Sequence, residues 1–98
     1  MKIFREPLEF QWDKGNIGKN LKHKIEDKEA EESFFDKKRK IYKDKLHSTE
    51  KEERFILLGK TKKKRLLYTV FTMRVKKVRI ISSRNINKKE VVMYEKET

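Results

Sequence analysis

The sequence predicts an α+β fold in which helices pack on one antiparallel β-sheet of four or five strands. Three apolar runs rich in β-branched and aromatic residues follow one another closely, and each predicts a strand, at residues 55–58, 66–71 and 78–81. The connections between these runs are too short for crossover helices, so the strands are expected to pair antiparallel. This meander is predicted to be the platform of the fold.

The N-terminal part predicts one more strand and a short helix. Apolar residues alternate with polar ones at Leu8, Phe10 and Trp12, which is the period of a half-buried strand. Asp13 is predicted to cap the helix that follows. In that helix Ile17 and Leu21 are four positions apart, so they are expected to lie on one face.

The middle of the chain predicts a second helix and a short strand. An acidic start and an apolar stripe at Ala30 and Phe34 predict a helix over residues 26–35. Residues 41–42 predict a short strand, and residues 44–52 read as a polar, exposed loop.

The C-terminal part predicts the third helix. Asn87 and Glu90 have the spacing of a capping box, with Ile86 and Val91 at the spacing of a hydrophobic staple. A helix is therefore expected over residues 88–96. The predicted order is β-α-α-β-β-β-β-α, within a single domain that spans residues 1–98.

Composition and charge limit the possible functions. The chain has 28 Lys and Arg against 16 Asp and Glu, a formal net charge of +12. Such an excess favours a polyanionic partner (RNA, DNA or an acidic protein), and the alternative is a basic surface kept for solubility. Cysteine is absent, and neither a signal peptide nor a run of membrane-spanning length is present. We expect a soluble, cytoplasmic protein.

Several chemistries lack their sequence patterns. None of the three glycines lies in a phosphate-cradling motif. The two histidines are far apart, and without cysteines they lack the spacing of a zinc site. No nucleophile elbow for acyl transfer is present. We expect neither a cofactor nor a metal ion.

Cations on the predicted strands are the remaining candidates for a site. Arg54 begins one strand, and Arg79 lies within an apolar part of the last strand. Strict alternation places four residues on one face of that last strand, Lys77, Arg79, Ile81 and Ser83. It places Arg84 on the other face. Because an unpaired guanidinium is costly to bury, Arg79 is expected either to pair with a carboxylate such as Glu53 or to face an open anion-binding surface.

A cationic surface of this kind suits the cleavage of RNA. Attack of a 2′-OH on the neighbouring phosphate needs a base, an acid and cations that hold the growing charge. His23 and His47 are the side chains that titrate near neutrality, and a Lys or Tyr with a shifted pKa could replace them. The alternative for each histidine is a solvated loop residue. Tyr68, Tyr42 and Trp12 could stack on bases, although strand aromatics more often belong to the core.

The order and spacing of several strings resemble those of a known family. They are Phe10-Gln11-Trp12-Asp13, Asn20-Leu21-Lys22-His23, Glu29-Ala30 with Phe34, His47-Ser48 before Glu52-Glu53-Arg54-Phe55, and Arg79-Ile80-Ile81-Ser82-Ser83-Arg84. Together they span nearly the whole chain, and they are similar to the BrnT toxins. These toxins are the RelE-like ribonuclease partners in BrnT/BrnA type II toxin–antitoxin modules.

The resemblance implies a RelE-like fold and RNA cleavage that arrests translation. It also implies neutralisation by a BrnA-type antitoxin in a heterotetramer of two toxins and two antitoxins, with operator DNA bound only through the antitoxin. The implied catalytic residues are Lys22, His23, Arg54 and Arg79. The RNA-binding candidates are Arg84, Lys77 and His47. We expect metal-independent attack of the 2′-OH, and the alternatives are a non-catalytic nucleic-acid- or antitoxin-binding module and a basic protein-interaction domain.

Overall fold

The computed structural model describes residues 8–96, and its centre is one antiparallel sheet. Neighbours in the sheet follow the order of the chain, β1 (Lys40–Lys43), β2 (Arg54–Lys60), β3 (Leu66–Arg74) and β4 (Lys77–Asn85). Two α-helices accompany the sheet, α1 (Asp27–Glu32) and α2 (Lys88–Glu95), with 3₁₀ turns at Lys19–His23 and Ser33–Phe35. The fold class is α+β, as predicted. Within the described residues, no helix has the length and apolarity to cross a membrane.

The predicted strands of the meander are confirmed and extend further than their apolar runs. The short strand predicted at residues 41–42 is also confirmed, as part of β1. Helix α2 begins as predicted, because Asn87 accepts a hydrogen bond from the Glu90 amide while the Glu90 side chain accepts one from the Asn87 amide. The helix predicted over residues 26–35 is α-helical at first and then ends in the second 3₁₀ turn.

The predictions for the N-terminal part need correction. Residues 8–12 do not form a full strand, since Phe10 makes one isolated parallel bridge to Val78. The helix expected after them is the 3₁₀ turn Lys19–His23, which is preceded by Gly18 at φ 67°, a left-handed conformation that ends any helix begun at Asp13. Ile17 and Leu21 are each 58% exposed.

This N-terminal segment instead covers the outer edge of β4. Four hydrogen bonds satisfy the edge groups of the strand: Val78 N to Glu9 O, Gln11 N to Val78 O, Asn16 Nδ2 to Ile80 O, and Ser83 N to Asn20 Oδ1. Asn16 and Asn20 are buried for this reason, while their apolar neighbours face outward. An edge that could otherwise pair with another chain is thereby closed.

The core lies between the sheet and α1. Fully buried residues from both layers form it: Ile25, Ala30, Phe34, Leu57, Leu67, Phe71 and Val78. Phe34 packs edge-on against Phe71, with ring centroids 5.0 Å apart. At Gly59 the sheet approaches the second 3₁₀ turn so closely that a Cβ would overlap the Ser33 carbonyl oxygen, so a side chain cannot be accommodated there. One face of the sheet is therefore packed closely against α1 and the second 3₁₀ turn, and the paired arginines of β2 and β4 lie on the opposite face.

Candidate functional site

A β-bulge brings the arginines of β2 and β4 to one face of the sheet. Phe71 pairs with Ile80, but Val70 pairs with Ser82, so Ile81 is an extra residue in the ladder. The bulge reverses the alternation beyond it. Ser83 therefore turns into the core side and is fully buried, whereas Arg84 joins the face of Arg79. The strict alternation expected for β4 is wrong beyond Ile81. We call the shared face, defined by Arg54, Arg79 and Arg84, the arginine face.

Two of these arginines lie in one row across the sheet, on β2 and on β4. Arg54 pairs with Thr72, and Thr72 pairs with Arg79, so Thr72 lies between them at the spacing of adjacent strands, about 4.8 Å. The Thr72 hydroxyl donates to the Glu53 carbonyl oxygen at 2.7 Å. The same row continues on the other side of Arg54, where the Asp44 amide donates to the Arg54 carbonyl oxygen at 2.8 Å.

Arg79 pairs with a carboxylate that the sequence did not indicate. Its guanidinium donates to both oxygens of Asp13, at 2.8 and 3.0 Å, and reaches Asn16 Oδ1 at 3.5 Å. The side chain of Arg79 is 12% exposed. The hydrogen bond from Arg79 is the main cause that lowers the pKa of Asp13. Of the two possibilities left open, the paired one is found, but its partner is Asp13, while Glu53 pairs with Lys43.

Arg54 is held more loosely. Its Nε donates to Glu52 Oε1 at 2.8 Å, and its side chain is 33% exposed. The other oxygen of Glu52 lies 3.5 Å from Arg74 Nη2. The hydrogen bond from Arg54 is the main cause that lowers the pKa of Glu52. Two guanidinium groups thus share one carboxylate at the end of the sheet that carries the row.

His47 is oriented by an aspartate beside this row. The backbone amide and Nδ1 of His47 both approach the Asp44 carboxylate, with Nδ1 3.0 Å from Oδ2. Asp44 is buried, whereas the His47 side chain is 61% exposed. Because a carboxylate can only accept a hydrogen bond, Nδ1 carries the hydrogen in this contact, and Nε2 is the ring nitrogen left without the aspartate. This arrangement is that of a histidine available for proton transfer.

Arg84 lies in a second row of the arginine face. It forms a bidentate pair with Glu90 of α2, at 2.9 and 2.7 Å, and its Cζ lies 3.9 Å from the centre of the Tyr68 ring. The hydrogen bond from Arg84 is the main cause that lowers the pKa of Glu90. One face of Tyr68 is therefore already occupied. Trp12 is also engaged, since it donates to Glu31 at 2.6 Å.

The remaining predicted residues lie elsewhere. Lys77 is exposed and pairs with Arg74 at the start of β4, near the row of Arg54 and Arg79. Lys22 and His23 are exposed in the first 3₁₀ turn, where the His23 carbonyl oxygen accepts from Arg65. Arg65 in turn bonds Asn85, at the far end of β4 and about 20 Å along the strand from Arg79. The structure thus places Arg54, Arg79 and Lys77 at one end of the sheet, with Asp44 and His47 beside Arg54, and it places Lys22 and His23 near the other end of β4.

Sequence reasoning missed the acidic partners that fix this geometry. Asp13, Asp44 and Glu52 each orient a predicted site residue. Asp44 lies three positions before His47, so this spacing could have indicated that the two side chains are in contact. Asp13 and Arg79 are 66 positions apart, and nothing in the sequence near either residue indicates the contact.

Comparison with known proteins identifies the family of the chain. The family model described as BrnT, the ribonuclease toxin of type II toxin–antitoxin systems, matches residues 12–90. All of the predicted site residues fall within this match. No curated protein matches the chain. The matched region includes every strand, α1 and the first three residues of α2, so the resemblance seen in the sequence is confirmed, and the chain belongs to the family of BrnT ribonuclease toxins.

Proposed function

We propose that this toxin is an endoribonuclease that cleaves RNA by metal-independent attack of the 2′-OH and thereby arrests translation. The observation that carries the proposal is the row on the arginine face. Arg54 of β2 and Arg79 of β4 flank Thr72 of β3 in this row, and Asp44, just after the end of β1, holds His47 beside Arg54. The reaction needs a base for the 2′-OH, an acid for the leaving 5′-oxygen and cations for the charge on the phosphate; the row supplies one group for proton transfer and two of the cations.

In this proposal Arg54 and Arg79 hold the scissile phosphate and stabilise the charge that develops on its oxygens. Arg54 is partly exposed and can add a phosphate contact without leaving Glu52. To bind the phosphate, Arg79 must exchange its contact with the Asp13 carboxylate for a contact with the phosphate oxygens. The bidentate contact supports this exchange, because a phosphodiester offers a pair of oxygens in the same fork geometry.

His47 is the group that we propose for proton transfer, with Asp44 as the residue that positions it. Lys77 and Arg84 contact the backbone of the RNA on either side of the row. The distance between the row and the first 3₁₀ turn favours contacts of Lys22 and His23 with RNA away from the scissile bond. The resemblance implied that Lys22 and His23 take part in proton transfer. For this to happen, the bound RNA would have to bring the two ends of the sheet into one site.

The partners follow from the family. A type II toxin has an antitoxin, and we propose a BrnA-type antitoxin that assembles with this chain into a heterotetramer in the cytoplasm and alone contacts operator DNA. A RelE-like fold within one domain is part of the same proposal, supported by the four-stranded antiparallel sheet with its helices.

A second candidate function is a non-catalytic module that binds nucleic acid or the antitoxin. One observation favours it: each arginine of the arginine face already pairs with a carboxylate. Expression in cells without the antitoxin separates the two. We expect the parent chain to arrest growth, co-expressed BrnA-type antitoxin to restore it, and Arg54→Gln to lose toxicity while Lys63→Gln, in the exposed β2–β3 turn, keeps it. Normal growth with the parent chain would favour the non-catalytic module.

A further inference from the structure

A second concentration of positive charge lies away from the row, between the start of β1 and the end of α2. A cavity of about 670 Å³ opens there. Six cations line it, Lys37, Lys38, Arg39, Lys40, Lys60 and Lys96. Glu95 and Tyr94 complete the lining. We call this site the basic pocket. Nothing in the proposed reaction uses it.

The lysines of the basic pocket are not neutralised by ion pairs. Within residues 8–96, Lys43 is the lysine that forms an ion pair, and it lies outside the pocket. Asp36, which precedes the basic run, is not part of the lining, and its carboxylate accepts hydrogen bonds from the Tyr94 hydroxyl and from the amides of Lys38 and Lys60. The pocket therefore presents ammonium groups to an incoming anion, unlike the arginine face, where carboxylates occupy the guanidinium groups.

The composition of the pocket favours a phosphate backbone over a protein. Interfaces that bind proteins depend on buried aromatic and aliphatic anchors. The aromatic residue here, Tyr94, is 7% exposed and offers little surface. Lysine is a flexible point charge that suits phosphate. Several lysines around one concave site are the electrostatic footprint of nucleic-acid binding.

The position of the pocket fits one RNA strand that also reaches the row. Lys40 pairs with Leu58, Leu58 with Tyr68, and Tyr68 with Arg84, so Lys40 and Arg84 belong to the same cross-strand row. Asp44 follows four positions after Lys40, about 13 Å along β1. A strand several nucleotides long can therefore contact the basic pocket while one of its phosphates lies between Arg54 and Arg79.

We propose that the basic pocket binds the phosphodiester backbone of the RNA substrate outside the scissile nucleotide, as an anchoring subsite. This inference rests on the proposed function for the identity of the substrate. It predicts that affinity for long RNA, but not the cleavage step itself, depends on the lysines of the pocket.

The test compares two triple variants that remove equal charge. Lys37→Gln/Lys38→Gln/Lys40→Gln alters the pocket, and Lys62→Gln/Lys63→Gln/Lys64→Gln alters the exposed β2–β3 turn. Binding of a 20-nucleotide RNA is measured by fluorescence anisotropy at several salt concentrations. Cleavage kinetics are measured with the same RNA and with a dinucleotide, which has a single phosphodiester and cannot span both sites. Circular dichroism verifies folding, and Lys37→Gln/Lys38→Gln, at two exposed positions, replaces the triple variant if it unfolds.

We expect the pocket variant to raise Kd and KM for the long RNA about 10-fold at low salt, with kcat and dinucleotide cleavage unchanged. The slope of log K against log salt should fall by about 0.7 for each phosphate contact that is lost. The turn variant should change these values less than 3-fold. Equal effects of the two variants on the long RNA would overturn the inference, as would a loss of antitoxin affinity with unchanged RNA binding. The anisotropy experiment decides this even if the parent chain cleaves no RNA, a result that would count against the proposed function alone.

Discussion

Arg79 and Arg84 lie on the same face of β4 although their sequence positions have opposite parity, because the bulge at Ile81 adds one residue between them. Arg79 consequently faces the row of Arg54, and Arg84 reaches α2 through Glu90. If the same sequence ran along β4 without a bulge, Arg84 would point to the core side, so the bulge is what places this charge at the surface.

The bulge can be tested by changing the length of β4. Deletion of Ile81 leaves a regular ladder with Arg84 still on the arginine face, so we expect a folded protein that loses at most about 1–3 kcal/mol of stability. Insertion of one alanine after Ser82 instead turns Arg84 toward the core, where an unpaired charge is very costly, and should abolish folding. Urea denaturation of both variants measures the difference. A deletion variant that unfolds as readily as the insertion variant would contradict the register described here.

The two arginines of the row should differ in their contribution to stability. Arg79 is largely buried and makes charged hydrogen bonds to Asp13, so Arg79→Ala is expected to cost about 1.5–3 kcal/mol. Arg54 is more exposed and makes one short bond to Glu52, so Arg54→Ala should cost about 0–1 kcal/mol. Thermal or urea unfolding gives both values. If both variants are equally stable, the contact between Arg79 and Asp13 does not hold the N-terminal segment against β4.

The β3–β4 turn offers a stabilising substitution. Val75 has φ 59° and is 99% exposed. A β-branched residue in the left-handed region is strained, whereas asparagine is common there in hairpin turns. Val75→Asn should therefore raise the free energy of unfolding by about 1 kcal/mol. Val92→Asn, at an exposed position of α2, is the control that should not stabilise the protein, and a lower stability of Val75→Asn than of the parent would argue against the turn geometry.

Stability should fall in acid through Glu90. The hydrogen bond from Arg84 holds the pKa of Glu90 below its ordinary value of 4.5, so below about pH 4.5 the unfolded chain takes up a proton more readily than the folded protein. The contribution of the pair is complete above that pH and is lost as pH falls through the lower, folded pKa. Glu90→Gln retains the capping side chain of α2 but has no charge to titrate.

Urea unfolding between pH 3 and 7 tests the role of this pair. We expect Glu90→Gln to be less stable than the parent chain at pH 7, with the difference shrinking toward pH 3. A difference that stays constant over this range would show that the Arg84–Glu90 charge pair is not its source.

Much of the fold was predictable because its signals are local. The apolar runs of β2, β3 and β4 and the capping box at Asn87 each lie within a few neighbouring residues. The bulge at Ile81 and the contact of Asp13 with Arg79 depend on partners far along the chain, so the face of Arg84 and the partner of Arg79 could not be obtained from alternation or spacing.

The sequence allowed the cations of the candidate site to be predicted, but it said less about how these cations are arranged. Resemblance to the family indicated Arg54, Arg79 and His47, which the fold brings to one end of the arginine face. Lys22 and His23 came from the same resemblance, and the 3₁₀ turn places them at the other end of β4. Their separation arises because residues 9–20 run along the edge of β4 rather than forming the predicted helix.

Cleavage of naked RNA in EDTA by the parent chain and by Arg54→Gln, Asp44→Asn and Lys63→Gln tests the central claim most directly. The parent and Lys63→Gln should cleave alike. Arg54→Gln should lose about 10²-fold or more, through lost stabilisation of developing charge. Asp44→Asn should lose about 10-fold or more and change the pH profile, because His47 is no longer held in one tautomer. Cleavage by Arg54→Gln at the parent rate, with an unchanged pH profile for Asp44→Asn, would contradict a catalytic centre on this row.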